Sequence, residues 1–418
     1  MKTKAVRLHG VNDLRIDEFE LPEPGEDEIL ARVITDSLCL SSYKAAKLGT
    51  EHKRVPDDIA ENPVVIGHEF CGEIIKVGSR WADKFKAGQK FTVQPAMNYK
   101  GSLAAAGYSF PHFGGDATYI IIPVEVMLTD CMFVYNGDSF FGGSLSEPMS
   151  CVAGTFHAMY HTKQGEYVHE MGIREGGCMA LLAGVGPMGL AAISYLLNCD
   201  RRPAKLVVTD IDDARLERAG RILSTEYAAA RGVELRYMNT SKYEDSDAEL
   251  RAFSDGHGFD DIVVFAPVTP VVEQADRLLA VDGCLNFFAG PADTEFRARL
   301  NFFNVHYSRT HICGTTGGNS SDMKEVLAMM GDGRIDPAIL VTHIGGLDCV
   351  PETTLNLSHI PGGKKLIYTG ITLPLTAISD FRKLGQTDPR FLRLADITEA
   401  NNGLWCHEAE NYLLANFN

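Results

Sequence analysis

At 418 residues the chain is long for one hydrophobic core, and two domains are expected. A hydrophobic content of 45% and a charged content of 22% suit a globular enzyme. The net charge of −16 argues against nucleic acid and anionic membrane as partners, since both need a basic face, but a few local cations would suffice for an anionic metabolite.

The first part reads as short β-strands at residues 5–8, 14–16, 28–34, 72–77 and 90–93. These segments carry β-branched or aromatic residues and are punctuated by Gly and Pro, as in Leu21-Pro22-Glu23-Pro24-Gly25. A barrel-like β domain is expected. Residues 44–62 read as a polar loop, and residues 94–116 as a glycine-rich loop leading into a strand at 117–122. Near residue 150 the texture changes. A helix is expected at 151–158, followed by a continuous apolar run at 178–183 of the kind buried on both faces in a parallel sheet. Helix-like segments then alternate with buried strands at 206–209, 261–265 and 284–288, the rhythm of a doubly wound βαβ domain. Beyond about residue 305 the pattern loosens. Segments 343–347 and 364–368 read as a return to the first domain, and from about 375 the chain is polar and helix-prone.

Ten cysteines are scattered without a CxxC pair. The N-terminus runs into strand-like sequence with no apolar signal core, and no apolar run reaches the length of a membrane span. A reduced, cytoplasmic protein is expected.

Gly184-Val185-Gly186-Pro187-Met188-Gly189 lies between a buried strand and an apolar helix. One glycine allows the bend, one lets the backbone approach a pyrophosphate, and one lets the helix pack on the strand. Asp210 follows Gly189 by 21 residues at the end of the next strand, where a carboxylate bonds the ribose hydroxyls and repels a 2′-phosphate. NAD(H) is the expected cofactor, with NADP(H) as the alternative.

A second constellation offers a soft sulfur, an imidazole and carboxylates: Cys39, His68 and Glu69, with Glu147-Pro148 downstream. A catalytic zinc takes three protein ligands and keeps one position open. Cys39 and His68 are the leading candidates, and Glu69 and Glu147 compete for the third place.

Cys39-Leu40-Ser41-Ser42-Tyr43-Lys44, Gly67-His68-Glu69, Gly114-Gly115-Asp116-Ala117-Thr118-Tyr119, Glu147-Pro148 and the Gly184–Gly189 turn occur in the order seen in zinc-dependent medium-chain dehydrogenases. Over roughly residues 1–372 the chain resembles that family, most of all its sorbitol dehydrogenase and sugar-phosphate dehydrogenase branch. The resemblance implies an α/β protein with a GroES-like β-barrel catalytic domain (1–152 and 306–374), a Rossmann domain with a doubly wound parallel sheet (153–305) and a C-terminal helical extension (375–418). It makes Cys39 and His68 zinc ligands and places Glu147 where the third ligand falls in many members. Glu69 ligates directly in the polyol branch or approaches the metal during turnover. Ser41 takes the place of the hydroxyl that bonds the substrate oxygen. The implied reaction is between a ketose phosphate and a polyol phosphate, L-sorbose 1-phosphate to D-glucitol 6-phosphate. The alternatives are a sorbitol-type polyol dehydrogenase and a threonine-type dehydrogenase. A homo-oligomer, dimer or tetramer, is implied as well.

Three positions depart from many relatives: Leu40 stands for Gly, Ser42 for an acid that orients the imidazole, and Lys44 for a relay histidine. Lys44 either relays a proton or holds an anionic substrate, and Lys53 and Arg54 on the adjoining loop are further candidates for a phosphate. No cysteine lies between Cys71 and Cys131, where relatives carry a structural zinc lobe. One catalytic zinc per subunit and no structural zinc are therefore expected.

Overall fold

The computed structural model describes residues 1–417. The chain divides into two compact units, Met1–Glu147 with Met323–Asn418, and Pro148–Asp322. No helix among the described residues is long and apolar enough to cross a membrane.

The first unit is organised around the strand Ile29–Ser37. It pairs antiparallel with Phe70–Val77, Tyr119–Ile122 and Lys364–Tyr368. Alternate residues Ile29, Ala31 and Val33 point into a core with Phe70, Ile74, Phe91, Ile120 and Ile122, as the two-residue period of a strand demands. The register Leu366↔Ser37 brings the late strand beside the residues leading to Cys39. Ser37 N–H in turn donates to the Glu69 carbonyl at 3.0 Å. Segments distant in sequence therefore meet at one end of this sheet.

Two helices depart from the sequence reading. Residues 44–48 are not loop but the second half of α1 (Leu40–Leu48), which buries Ser42, Ala45 and Ala46. That i, i+3, i+4 face is made of small residues, so its apolar signal is weak. Gly49, at φ +54°, ends the helix. The helix expected at 151–158 begins earlier, as α2 (Phe140–Ala158). Its opening holds Gly142, Gly143 and Pro148, which resemble breakers. A Cβ at Gly143 would collide with Cys71 Sγ, so that glycine serves close packing.

The second unit carries six parallel strands in the order Glu234–Asn239, Lys205–Asp210, Cys178–Leu182, Phe259–Val264, Leu279–Phe287 and His311–Gly314. Numbered along the chain this is 3-2-1-4-5-6, the doubly wound order that binds nucleotides outside the carboxyl ends of its strands. A hairpin of Tyr160–Thr162 with His169–Met171 and the last strand of the sheet carry no clear sequence signal. Helix α3 (Pro187–Asn198) follows the glycine turn.

At the C-terminus, α4 (Pro389–Ala400) and α5 (His407–Asn416) belong to the first unit. Phe391, Leu394, Trp405 and Leu413 join Phe141, Leu145 and Tyr368 in one buried cluster.

Candidate active site

Cys39 stands at the N-terminus of α1, and His68 lies on the turn before the strand Phe70–Val77. Ligand atoms of Cys39, His68 and Glu69 all lie within 4.8 Å of one another. Ser41 Oγ bridges the first two, 2.9 Å from Cys39 Sγ and 3.2 Å from His68 Nε2. Ser42 Oγ meets His68 Nδ1 at 3.3 Å, so an uncharged hydroxyl occupies the place of the orienting acid. Burial lowers the His68 pKa, against the opposing pull of Glu147 and Glu69, and so favours the neutral imidazole a metal requires. Burial raises the Cys39 thiol, with Lys364 pulling it back. A thiol, a neutral imidazole and a carboxylate this close fit zinc.

The carboxylates differ in their partners. Lys364 donates to both oxygens of Glu69, at 2.6 Å to Oε2, and the two side chains are only 6% and 1% exposed. Burial opposes ionisation of Glu69, but Lys364 and His68 outweigh it and hold its pKa below the usual range. Glu147, also buried, is pushed up to about 7 by burial and by the Glu69 charge. Lys364 was not singled out from the sequence. It lies 295 residues from Glu69, and only the sheet register joins them.

Behind the cluster are two further carboxyls, Asp36 and Asp116, both fully buried. Asp36 Oδ1 accepts the Glu69 N–H at 3.1 Å. Burial, then the Asp116 and Glu69 charges, raise Asp36 well above the usual range, and burial pushes Asp116 up to about 7. The loop before His68 leaves them no slack. Gly67 sits at φ +87°, where a Cβ would meet Asp116 N at 2.6 Å.

Burial, and then the charges of Arg54, Lys53 and Lys44, lower the His52 pKa to about 4. His52 stacks on Tyr108 with centroids 5.5 Å apart, and the Arg54 guanidinium lies 5.7 Å from the centre of the same ring. Tyr108 OH is 3.4 Å from His68 Nε2. Arg54 is thus one aromatic side chain away from His68. Tyr108 and His52 were not foreseen. They sit in loops, where no periodicity marks them.

In the second unit, the turn Gly184-Val185-Gly186-Pro187-Met188-Gly189 runs into α3 with Gly186 as N-cap and Pro187 in its first turn. A Cβ at Gly189 would collide with the Gly184 carbonyl, whereas one at Gly186 would meet nothing within 4 Å. The first glycine of that comparison serves packing, and the second opens a cradle at a helix N-terminus, which fits a pyrophosphate. Asp210 ends its strand with Oδ1 accepting the N–H groups of Ile211 (2.8 Å) and Asp212 (3.1 Å).

Two family models match the chain: the alcohol dehydrogenase GroES-like domain over residues 25–130, and the zinc-binding dehydrogenases over residues 187–332. The chain belongs to the zinc-binding dehydrogenase family and is an oxidoreductase of the zinc-dependent alcohol and polyol dehydrogenase type, as its motif order led us to expect. Mannitol-1-phosphate 5-dehydrogenase of Aliivibrio fischeri is 50% identical over 413 residues, covering 99% of this chain and 97% of that one. L-sorbose 1-phosphate reductase of Klebsiella pneumoniae is 49% identical over 413 residues, with the same coverage of 99% and 97%. Among solved structures, 2R,3R-butanediol dehydrogenase from Bacillus subtilis shares the fold, with a TM-score of 0.70 at 22% identity over 88% of this chain and 100% of that one.

Proposed function

We propose that this chain is a zinc-dependent, NAD(H)-linked oxidoreductase interconverting a ketose phosphate and a polyol phosphate, L-sorbose 1-phosphate and D-glucitol 6-phosphate. The observation that carries this reading is that the charges of Lys44, Lys53 and Arg54 act on His52, with His52 and Arg54 against Tyr108 and Tyr108 against His68. A strongly acidic protein has gathered cations beside a zinc-type donor set, and a dianion needs such partners to leave water. Two relatives at about half identity, both named for sugar or polyol phosphates, support the same class.

In this reading Cys39, His68 and Glu147 hold one zinc per subunit. Glu69 is the weaker choice for the resting ligand, because Lys364 already binds both of its oxygens. Glu147 is pushed up to about 7 by burial and by the Glu69 charge, and a cation would relieve that cost. Bound there, the metal supplies Lewis acidity, polarising a carbonyl oxygen in reduction and lowering a hydroxyl pKa in oxidation. Ser41 is placed by Cys39 and His68 to hydrogen-bond the reacting oxygen and hand on its proton. Ser42 holds the imidazole from Nδ1 without adding charge. Lys44, whose pKa burial lowers, is a phosphate partner first and a proton relay second. The Gly184–Gly189 turn takes the pyrophosphate and Asp210 the ribose, with NADP(H) disfavoured by the Asp210 charge. We assign the catalytic role to residues 1–152 and 306–374, apart from the strand His311–Gly314, and dinucleotide binding to residues 153–305 together with that strand.

The test is a substrate panel with NADH and NADPH, together with zinc analysis of the purified protein. L-sorbose 1-phosphate should be reduced far better than L-sorbose. Arg54→Ala and Lys44→Ala should raise KM for the phosphorylated ketose alone, by about 1.5–3 kcal/mol for each charged hydrogen bond lost. Equal efficiency on both sugars would remove the phosphate assignment. A second reading, oxidation of D-mannitol 1-phosphate, is favoured by the relative at 50% identity and belongs in the same panel.

A further inference from the structure

The helix that carries Glu147 is held at its start by the far end of the chain. The first amides of α2 have no partner within the helix, as at any helix N-terminus. Here Glu410, on α5, supplies them. Its Oε2 accepts the Phe140 N–H at 2.7 Å and its Oε1 the Phe141 N–H at 2.8 Å. Ser139 Oγ takes the Gly142 N–H at 3.3 Å. Glu410 is 1% exposed, and a buried carboxylate there also gains from the helix dipole. Tyr368 OH donates to Glu410 at 3.0 Å, and Trp405 Nε1 donates to that hydroxyl at 2.8 Å. The cap is thus fixed by partners of its own.

One face of α2, with Phe141 and Leu145, packs into the cluster of Phe381, Phe391, Leu394, Trp405 and Leu413. Ser144 and Glu147, one turn apart, lie on another face. Ser144 Oγ donates to the Glu69 carbonyl at 2.5 Å. The Glu147 carboxyl is close enough to His68, Glu69 and Cys39 for their charges to shift it. Between the two faces there is little give. A Cβ at Gly142 would strike Tyr135 OH, and one at Gly143 would strike Cys71 Sγ on the strand that follows Glu69.

We propose that Glu410 is a positioning residue, through which the C-terminal segment sets the axial and rotational position of α2 and so aims Glu147 and the Glu69 backbone at the metal. This rests on the reading of Glu147 as a zinc ligand. The tests use the full chain. Glu410→Gln keeps the size but puts an amide N–H where a backbone N–H needs an acceptor. In the cobalt-substituted protein its visible bands should shift relative to wild type. Zinc affinity, measured against a chromophoric chelator with the protein folded, should fall roughly ten-fold, the lower end of what loss of support for a ligand costs. Tyr368→Phe, which removes one donor to Glu410, should give the same change at smaller amplitude and serves if Glu410→Gln does not fold. Leu413→Ala should lower Tm through lost packing while leaving bands and zinc affinity at wild-type values. If Glu147→Ala weakens zinc binding but Glu410→Gln and Tyr368→Phe leave both readouts unchanged, the positioning role is refuted alone. A Leu413→Ala effect as large as that of Glu410→Gln would also refute it. If Glu147→Ala leaves zinc affinity unchanged, the ligand assignment itself fails and takes this inference with it.

Discussion

Replacing Lys364 by Met should separate an essential counter-charge from a merely adjacent cation. The ammonium binds both oxygens of Glu69, with side-chain exposures of 6% and 1%, so removing it strands a carboxylate with almost no water. Breaking a buried pair in this way costs about 3–5 kcal/mol. The loss should depend on pH. In the wild type Glu69 has a depressed pKa, so its contribution is full above the unfolded value of 4.5 and is lost as pH falls below it. The gap between Lys364→Met and wild type should therefore be wide at pH 8 and narrow toward pH 4. Lys364→Met with Glu69→Gln should recover most of the loss, because no charge is then stranded. Urea unfolding of the metal-free protein, followed by tryptophan fluorescence, is the assay. The chain has two tryptophans, Trp81 and Trp405, and both are buried in the first unit, so the signal reports the unit that contains the pair. A cost below about 1 kcal/mol, or strict additivity with Glu69→Gln, would refute the argument.

Two substitutions in the glycine turn should part company. Gly186→Val places its side chain in open space, so the protein should fold and keep zinc but lose NADH binding by calorimetry, whereas Gly189→Ala should destabilise the second unit itself. Asp210→Ala should weaken NADH and narrow its preference over NADPH, and an unchanged ratio of the two dissociation constants would show that the carboxylate does not face the ribose. His52, lowered to about 4 from 6.5, binds fewer protons folded than unfolded between those values. Stability should be full above pH 6.5 and decline toward pH 4, and His52→Gln should flatten that decline in thermal melts.

The site's sequence signals were local ones. Cys39, His68 and the glycine turn announce themselves by residue type and spacing within a few positions, and the strand at 364–368 was legible as a strand. That its first residue neutralises Glu69 was not legible, because the contact depends on the pairing of Leu366 with Ser37 and not on any pattern along the chain. Tyr108 and His52 were hidden for a related reason. Their roles come from two loops stacking on each other, and loops lack the periodicity that marks a helix or strand. Helix α1 was masked by its small buried face of Ser42, Ala45 and Ala46, and the start of α2 by glycines that read as breakers but allow close packing. The cap from Glu410 to Phe140 spans 270 residues and had no signature at either end.

The charges buried around Cys39 also bear on which carboxylate meets the metal. Glu69 is answered by Lys364. Burial raises both Asp36 and Asp116, which favours their neutral forms. Burial likewise drives Cys39 and Glu147 toward their neutral forms. Cys39 and Glu147, were they to hold a divalent cation, would both gain from its charge what burial costs them. If Glu69 were the resting ligand, it would share its oxygens between the cation and Lys364, and Glu147 would keep its penalty. The proposal that Glu147 is the resting partner of Cys39 and His68 therefore predicts that Glu147→Ala loses more zinc than Glu69→Ala, with Glu69 held by an ammonium whose strand is the neighbour of Ile29–Ser37.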